Sequence, residues 1–114
     1  MTPETKVKQH MRRRCRQHEW MCYTAPVAGV LFWPDKMTLC GEGVTWFCEV
    51  KAVGMKHDKT RVEGQKKKLR DLHALGHPAS FCVGNDEIDD MISRILAWMI
   101  DGRTGVAPCM GIYE

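Results

Sequence analysis

Asp35, Glu49 and Lys51 are the residues of this 114-residue chain whose types and spacing could do chemistry together. Asp35 opens a run that reaches Cys40, and Val44 to Ala52 forms a second run. Gly41-Glu42-Gly43 between them is a glycine-rich turn, so the pair reads as a β-hairpin. Taken as a three-residue loop, that turn pairs Cys40 with Val44 and Leu39 with Thr45, and carries Asp35 to a position opposite Glu49. Facing side chains in an antiparallel pair lie about 4.5–5.5 Å apart, and two carboxylates that close repel unless a cation sits between them. Lys51 lies two residues past Glu49 and points to the same side. Such hard oxygen ligands suit Mg²⁺ or Mn²⁺, which need only one or two carboxylates besides water and substrate phosphate. A cation there can polarise a phosphoryl oxygen, activate a water and orient an in-line attack, while the lysine offsets developing charge. The reading depends on register. A loop of two or four residues would turn Asp35 to the wrong face, and an exposed ion pair of little worth would be the plainer account of the same residues.

Gln65 adds to this group. Thr60-Arg61-Val62-Glu63 reads as a capping box, and the helix it opens ends at Gly76, which suits a left-handed C-terminal position. Val62, Leu69 and Leu72 form its inward stripe by spacing, and Gln65 falls on that stripe. A buried amide needs a partner. An active-site phosphate, water or carboxylate would supply one, and so would nearby backbone.

The remaining elements must hold these residues in place. Thr2-Pro3-Glu4 starts a helix with a hydroxyl cap, proline at the first helical position and an acid near the positive end of the dipole, running to about Gln17. Trp20 to Trp33, with Pro26 and Gly29, reads as a short strand followed by a loop. In the hairpin's second strand Val44, Trp46, Cys48, Val50 and Ala52 share one face, and Thr45, Phe47, Glu49 and Lys51 the other. Val53 to Lys59 is a polar loop. Pro78 to Val83 is a short apolar strand, and Asn85 caps a last helix that runs to about Asp101 with Asp86 and Glu87 in its first turn. Residues 102–114 hold three glycines and a proline and read as irregular. The order is an α/β layer arrangement with a small mixed sheet, one domain over residues 1–114 with its core from about 3 to 101.

Composition narrows the setting. Apolar residues at 44% and charged residues at 27% fit a globular chain and argue against wholesale disorder. No apolar run approaches the roughly 20 residues that span a bilayer, and Met1 to Arg16 holds no secretory signal, so a cytoplasmic location is expected. The six cysteines then read as reduced, buried small hydrophobes. Cys15, His18 and Cys22 lack the second half of a zinc site. The net charge of +3 is modest, but bases crowd two segments, Lys6 to Arg16 and Lys51 to Arg70, while Asp86, Glu87, Asp89 and Asp90 gather later. That polarity fits a protein with a face toward a polyanion, and solvated helix faces would give the same pattern.

Pro34-Asp35, Glu49-Val50-Lys51, and Gln65 followed by Leu69 and Leu72 resemble the motifs of the PD-(D/E)XK nuclease superfamily, and most closely its VRR-NUC branch. The stretches Trp46 to Gly54 and Gln65 to Gly76, and Asp86-Glu87 opening the last helix, carry the likeness from the first helix to about Ile92. It implies a restriction-endonuclease-like αβββαβ core plus a C-terminal helix. It also implies Mg²⁺ or Mn²⁺ held by Asp35, Glu49 and the Val50 carbonyl, with Lys51 catalytic and Gln65 in the active site. Glu4 matches the acid that the family places on its first helix near the metal, often reaching it through water, although Glu19 is a second acid near the helix's other end. The family's glycine close before the proline-aspartate pair is replaced here by Gly29 followed by Val30-Leu31-Phe32-Trp33, which leaves the path of the preceding strand open.

What the resemblance implies is a metal-dependent structure-specific endonuclease, of the small stand-alone phage or bacterial type, acting on branched DNA such as four-way junctions or flaps as a homodimer. Arg12, Arg13, Arg14, Lys66, Lys67 and Lys68 are the expected phosphate contacts. The last helix carries apolar residues from Ile88 to Ile100 over more surface than one sheet face needs, which suits either a dimer interface or a fully buried helix. A catalytically inactive DNA-binding module, and a restriction or nicking enzyme on the same fold, are the alternatives.

Overall fold

The computed structural model describes residues 1–24 and 29–114, so the part of the expected loop around Pro26 lies outside the described residues. Helix α1 (Pro3–Gln17) is capped by Thr2, whose hydroxyl accepts from the Thr5 N–H at 3.1 Å. Strand β1 (Met21–Thr24) follows, then the hairpin β2 (Lys36–Gly41) and β3 (Val44–Lys51), helix α2 (Lys59–Ala74), β4 (Ala79–Val83), helix α3 (Gly84–Ile100) and β5 (Cys109–Met110). The sheet runs in order β1-β2-β3-β4-β5; the first two pairings are antiparallel and the last two parallel. This is the mixed α/β sheet expected, with helices on both faces.

The hairpin keeps the expected register by a different route. Leu39 faces Thr45 and Lys36 faces Cys48, but the turn closes on Gly41 and Val44, not on Cys40 and Val44. The loop is two residues, Glu42 and Gly43, both with positive φ as a type I′ turn requires. An irregularity between Leu39 and Gly41 inserts Cys40 as an extra residue and restores the register that the short loop would have shifted.

Alternation along β3 sorts its side chains into two cores. Val44, Trp46, Cys48, Val50 and Ala52 pack with Val7, Met11 and Cys15 of α1 and Ile88, Met91, Ile92 and Ile95 of α3. Phe47 turns the other way and packs with Leu69 and Leu72 of α2, Phe81 and Ile112. His10 and Arg14 both reach the Asp89 carboxylate, at 2.7 and 3.1 Å, and tie α1 to α3. On α3 the inward residues are buried, Leu96, Trp98 and Met99 are half-buried, and Ile100 is exposed.

Three expectations need correction. Asp58, not Thr60, caps α2 by accepting from the Arg61 N–H at 3.0 Å, so the helix starts at Lys59 and Thr60 lies in its first turn. A carboxylate suits this place better than a hydroxyl, because it also meets the positive end of the dipole. The other end holds as expected: Gly76, at φ 97°, and His77 donate to the carbonyls of His73 and Leu72 in a Schellman arrangement. Asn85 does not cap α3; the helix begins at Gly84 without a side-chain cap, and Glu87 reaches back to accept from the Val83 N–H at 2.9 Å. Residues 102–114 are not irregular throughout. Cys109–Met110 adds a fifth strand beside β4, Ile112 is 1% exposed, and Arg70 donates to its carbonyl at 2.7 Å. The segment after α3 therefore extends the sheet.

Candidate active site

Glu49 stands on the α2 face of β3 and is 2% exposed. The ladder places Lys36 opposite Cys48, so the next position back, Asp35, continues opposite Glu49 just beyond the end of β2. Backbone direction brings a further group to this spot. Phe47 donates its N–H toward β4, to the Pro78 carbonyl at 3.0 Å. Alternation then sends the N–H and C=O of Val50 toward β2, where no strand residue remains to pair with them. The Val50 N–H meets Asp35 Oδ2 at 3.4 Å, and strand alternation turns its carbonyl to the same side.

The Gln65 amide, on the buried stripe of α2, donates to Glu49 Oε1 at 3.2 Å. Lys51 Nζ lies 3.7 Å from the same oxygen and is itself buried. Gln65 thus bonds a site carboxylate, not the local backbone. Burial, and after it the neighbouring Asp35 carboxylate, push the Glu49 carboxyl up to about 8 against the pull of Lys51. Two acids crowded until one holds its proton are what a bound cation would relieve.

Glu4 comes from the opposite layer. Its carboxylate lies 3.5 Å from Lys8 Nζ, and the same ammonium lies 3.7 Å from Asp35 Oδ2. Lys8 therefore bridges α1 to the mouth of the site. Its role was missed in the sequence, where it merges into a basic run.

The approach to Asp35 is fixed by two aromatic residues that the sequence reading also left aside. Trp33 packs edge-on against Phe47 with ring centroids 5.6 Å apart. Phe32, at φ 62°, lays its ring on Gly64, where an added Cβ would fall 2.4 Å from the ring. Gly64 precedes Gln65, so one contact sets the Asp35 loop against the helix that carries Gln65. A glycine in a helix interior, about 1 kcal/mol worse than alanine, was the available signal of such close approach.

The expected phosphate contacts divide between layers. Arg12, Arg13 and Arg14 belong to α1, with Arg13 bonded to His10 and Arg14 to Asp89 and Gln17. Lys66, Lys67 and Lys68 belong to α2, where Lys66 sits 5.2 Å over the Phe81 ring and Lys67 lies 3.6 Å from Asp71. Only the α2 group shares the face of Glu49 and Lys51.

Among the described residues, no three His, Cys, Asp or Glu side chains form a ready metal cage. A hard divalent ion does not require one, since it keeps several waters. The chemistry of the donor set fits such an ion: two adjacent carboxylates, the Val50 backbone carbonyl beside them, and a buried Gln65 Oε1 that has no hydrogen-bond partner. A water in the ion's shell would satisfy that orphaned oxygen.

No protein-family model and no curated protein matches the chain. A solved structure described as a "VRR_NUC domain" does match, with a TM-score of 0.65 and 24% sequence identity, covering 82% of this chain and 97% of that one. The likeness establishes the fold. Among the described residues no helix is long and apolar enough to cross a membrane.

Proposed function

We propose that this chain is a VRR-NUC-type nuclease that hydrolyses phosphodiester bonds in DNA with Mg²⁺ or Mn²⁺. The observation that carries the reading is the meeting of Asp35, Glu49, Lys51 and Gln65 at one point, on the fold of a VRR_NUC domain. Asp35, Glu49 and the Val50 carbonyl would hold the cation, with Glu4 close enough to act through a water. Bound there, the ion would supply Lewis-acid polarisation of a phosphoryl oxygen and a more acidic water.

The chain's own residues do the rest. Lys51 places a buried positive charge where negative charge develops on the phosphate, and in a site this dry that charge acts with little screening. Gln65 holds Glu49 through its amide N–H and leaves its oxygen to orient a water. Lys66 to Lys68, on the same layer, would bind the backbone of the substrate strand, and Arg12 to Arg14 would meet a second arm of branched DNA on the other layer. That division between layers favours a branched substrate over a linear duplex. A homodimer joined through the apolar end of α3, where Leu96, Met99 and Ile100 reach the surface, belongs to the same reading.

Cleavage of a four-way junction, a flap and a linear duplex with Mn²⁺ tests it. Wild type should cut branched DNA, and Asp35→Ala and Lys51→Ala should each lose at least a hundredfold in rate, on the scale of removing one charged transition-state partner. Equal cleavage by wild type and variants would assign the activity elsewhere. Solution mass decides the dimer.

A further inference from the structure

Away from the nuclease site, three sulfurs gather under the second half of α1. Cys15 is fully buried on the helix. Cys22 is the one residue of β1 turned inward, directly across the ladder from Thr38, and Cys40 lies two residues beyond Thr38 on β2. Cys22 packs against the buried cluster that holds Cys15, and each thiol is the largest influence on the other's acidity. The buried Thr38 hydroxyl, otherwise without a hydrogen-bond partner, sits beside both.

Of the three, Cys15 and Cys40 are buried, whereas Cys22 is half-buried. It lines an open cleft of about 350 Å³ with Trp20, Met21, Tyr23, Arg12 and Arg16. Arg12 and Arg16 at the cleft and Lys36 from β2 face it with positive charge. The neighbouring Cys15 thiol, then Thr38, Lys36 and Arg12, bring the Cys22 thiol down to about 6 against the cost of burial. Cys15 moves the other way, because Cys22 and burial both disfavour its ionisation. The cleft and its cations therefore favour ionisation of Cys22 over that of its buried neighbour.

We propose that Cys22 is a hydroperoxide-reactive thiol and that Cys15 resolves its oxidised form to a Cys15–Cys22 disulfide. The Cys22 sulfur attacks the distal oxygen of the hydroperoxide; an S–O bond forms, the O–O bond breaks, and the alkoxide or hydroxide leaves with a proton. Cys15 sulfur then attacks Cys22 sulfur; the S–S bond forms, the S–O bond breaks, and water departs with the Cys15 proton. The two thiols lose two electrons in all, and the peroxide gains them. The product ties the last turn of α1 to the edge strand β1, on the helix whose first turns carry Glu4 and Lys8.

Cys109 supplies the control, since it is also half-buried but burial pushes its acidity the other way. The full chain, reduced and then treated with substoichiometric hydrogen peroxide at neutral pH, is mapped by peptide mass spectrometry under non-reducing conditions. The expected product is the Cys15–Cys22 disulfide. With Cys15→Ser a dimedone adduct should collect on Cys22, and Arg12→Gln should slow alkylation of Cys22 several-fold without changing Cys109. Competitive alkylation of the wild type needs no variant: Cys22 should react several-fold faster than Cys109, whose burial disfavours its thiolate. Equal rates, or oxidation spread evenly over Cys22 and Cys109, would overturn the proposal whether or not the variants fold.

Discussion

Replacing Glu49 by glutamine should stabilise the metal-free protein at high pH, although it removes a residue at the centre of the site. The unfolded chain releases the Glu49 proton near 4.5, whereas the folded chain holds it to about 8. Below both values the carboxyl is neutral in both states and costs nothing. As pH rises between them the unfolded state alone loses its proton, so folding stability falls, and above about 8 the loss is complete. At about 1.4 kcal/mol for each tenfold change in proton affinity, the ionised carboxylate costs the fold on the order of 5 kcal/mol. Glu49→Gln removes that titration and keeps an acceptor for the Gln65 amide. The pull of buried Lys51 on the ionised carboxylate is already contained in that shift, so the net gain is of the same order. Urea denaturation in EDTA at pH 5, 7 and 9 measures it: the variant should lack the loss of stability that Glu49 ionisation imposes, and should lead the wild type by the largest margin at pH 9. Added Mn²⁺ should then stabilise the wild type and not the variant. A variant less stable than wild type at pH 9 would show that Lys51 outweighs burial and Asp35, and the picture of two strained carboxylates awaiting a cation would fail.

Lys8→Met should tighten Mn²⁺ binding about fivefold by calorimetry, because an ammonium that competes for Glu4 and Asp35 is gone and such half-exposed pairs are worth about 1 kcal/mol; weaker binding would make Lys8 a partner of the cation and not its rival. Gly64→Ala should cost roughly 1–3 kcal/mol in urea denaturation, since its Cβ would strike the Phe32 ring, and Phe32→Ala in the same chain should remove most of that cost. A stabilised single variant would refute the contact. Ile112→Ala should lose about 2–4 kcal/mol by the same measurement; a change within about 0.5 kcal/mol would mean that the last residues do not pack.

The sequence by itself determined the face that carries the candidate site and its neighbours. Period-two alternation in Val44 to Ala52 is a local property of an extended chain, so it placed Glu49 and Lys51 together and away from Trp46 before any partner was known. The helical stripe of Gln65, Leu69 and Leu72 is equally local, and so are the Thr2 cap and the Gly76 stop. Tertiary structure decided what depends on distant chain. The register that sets Asp35 opposite Glu49 survives only because an extra residue at Cys40 compensates a two-residue turn, and no spacing in the hairpin announces that. Lys8 joins Glu4 to Asp35 because β2 ends at Lys36 and leaves the sheet edge open to the α1 layer. The last residues become a strand because β4 still has an unpaired side, and hydrogen bonds to its backbone outweigh a local sequence rich in glycine. Local rules read a residue's own conformation; which carboxylate, cation or strand edge it meets is settled by segments brought together in folding.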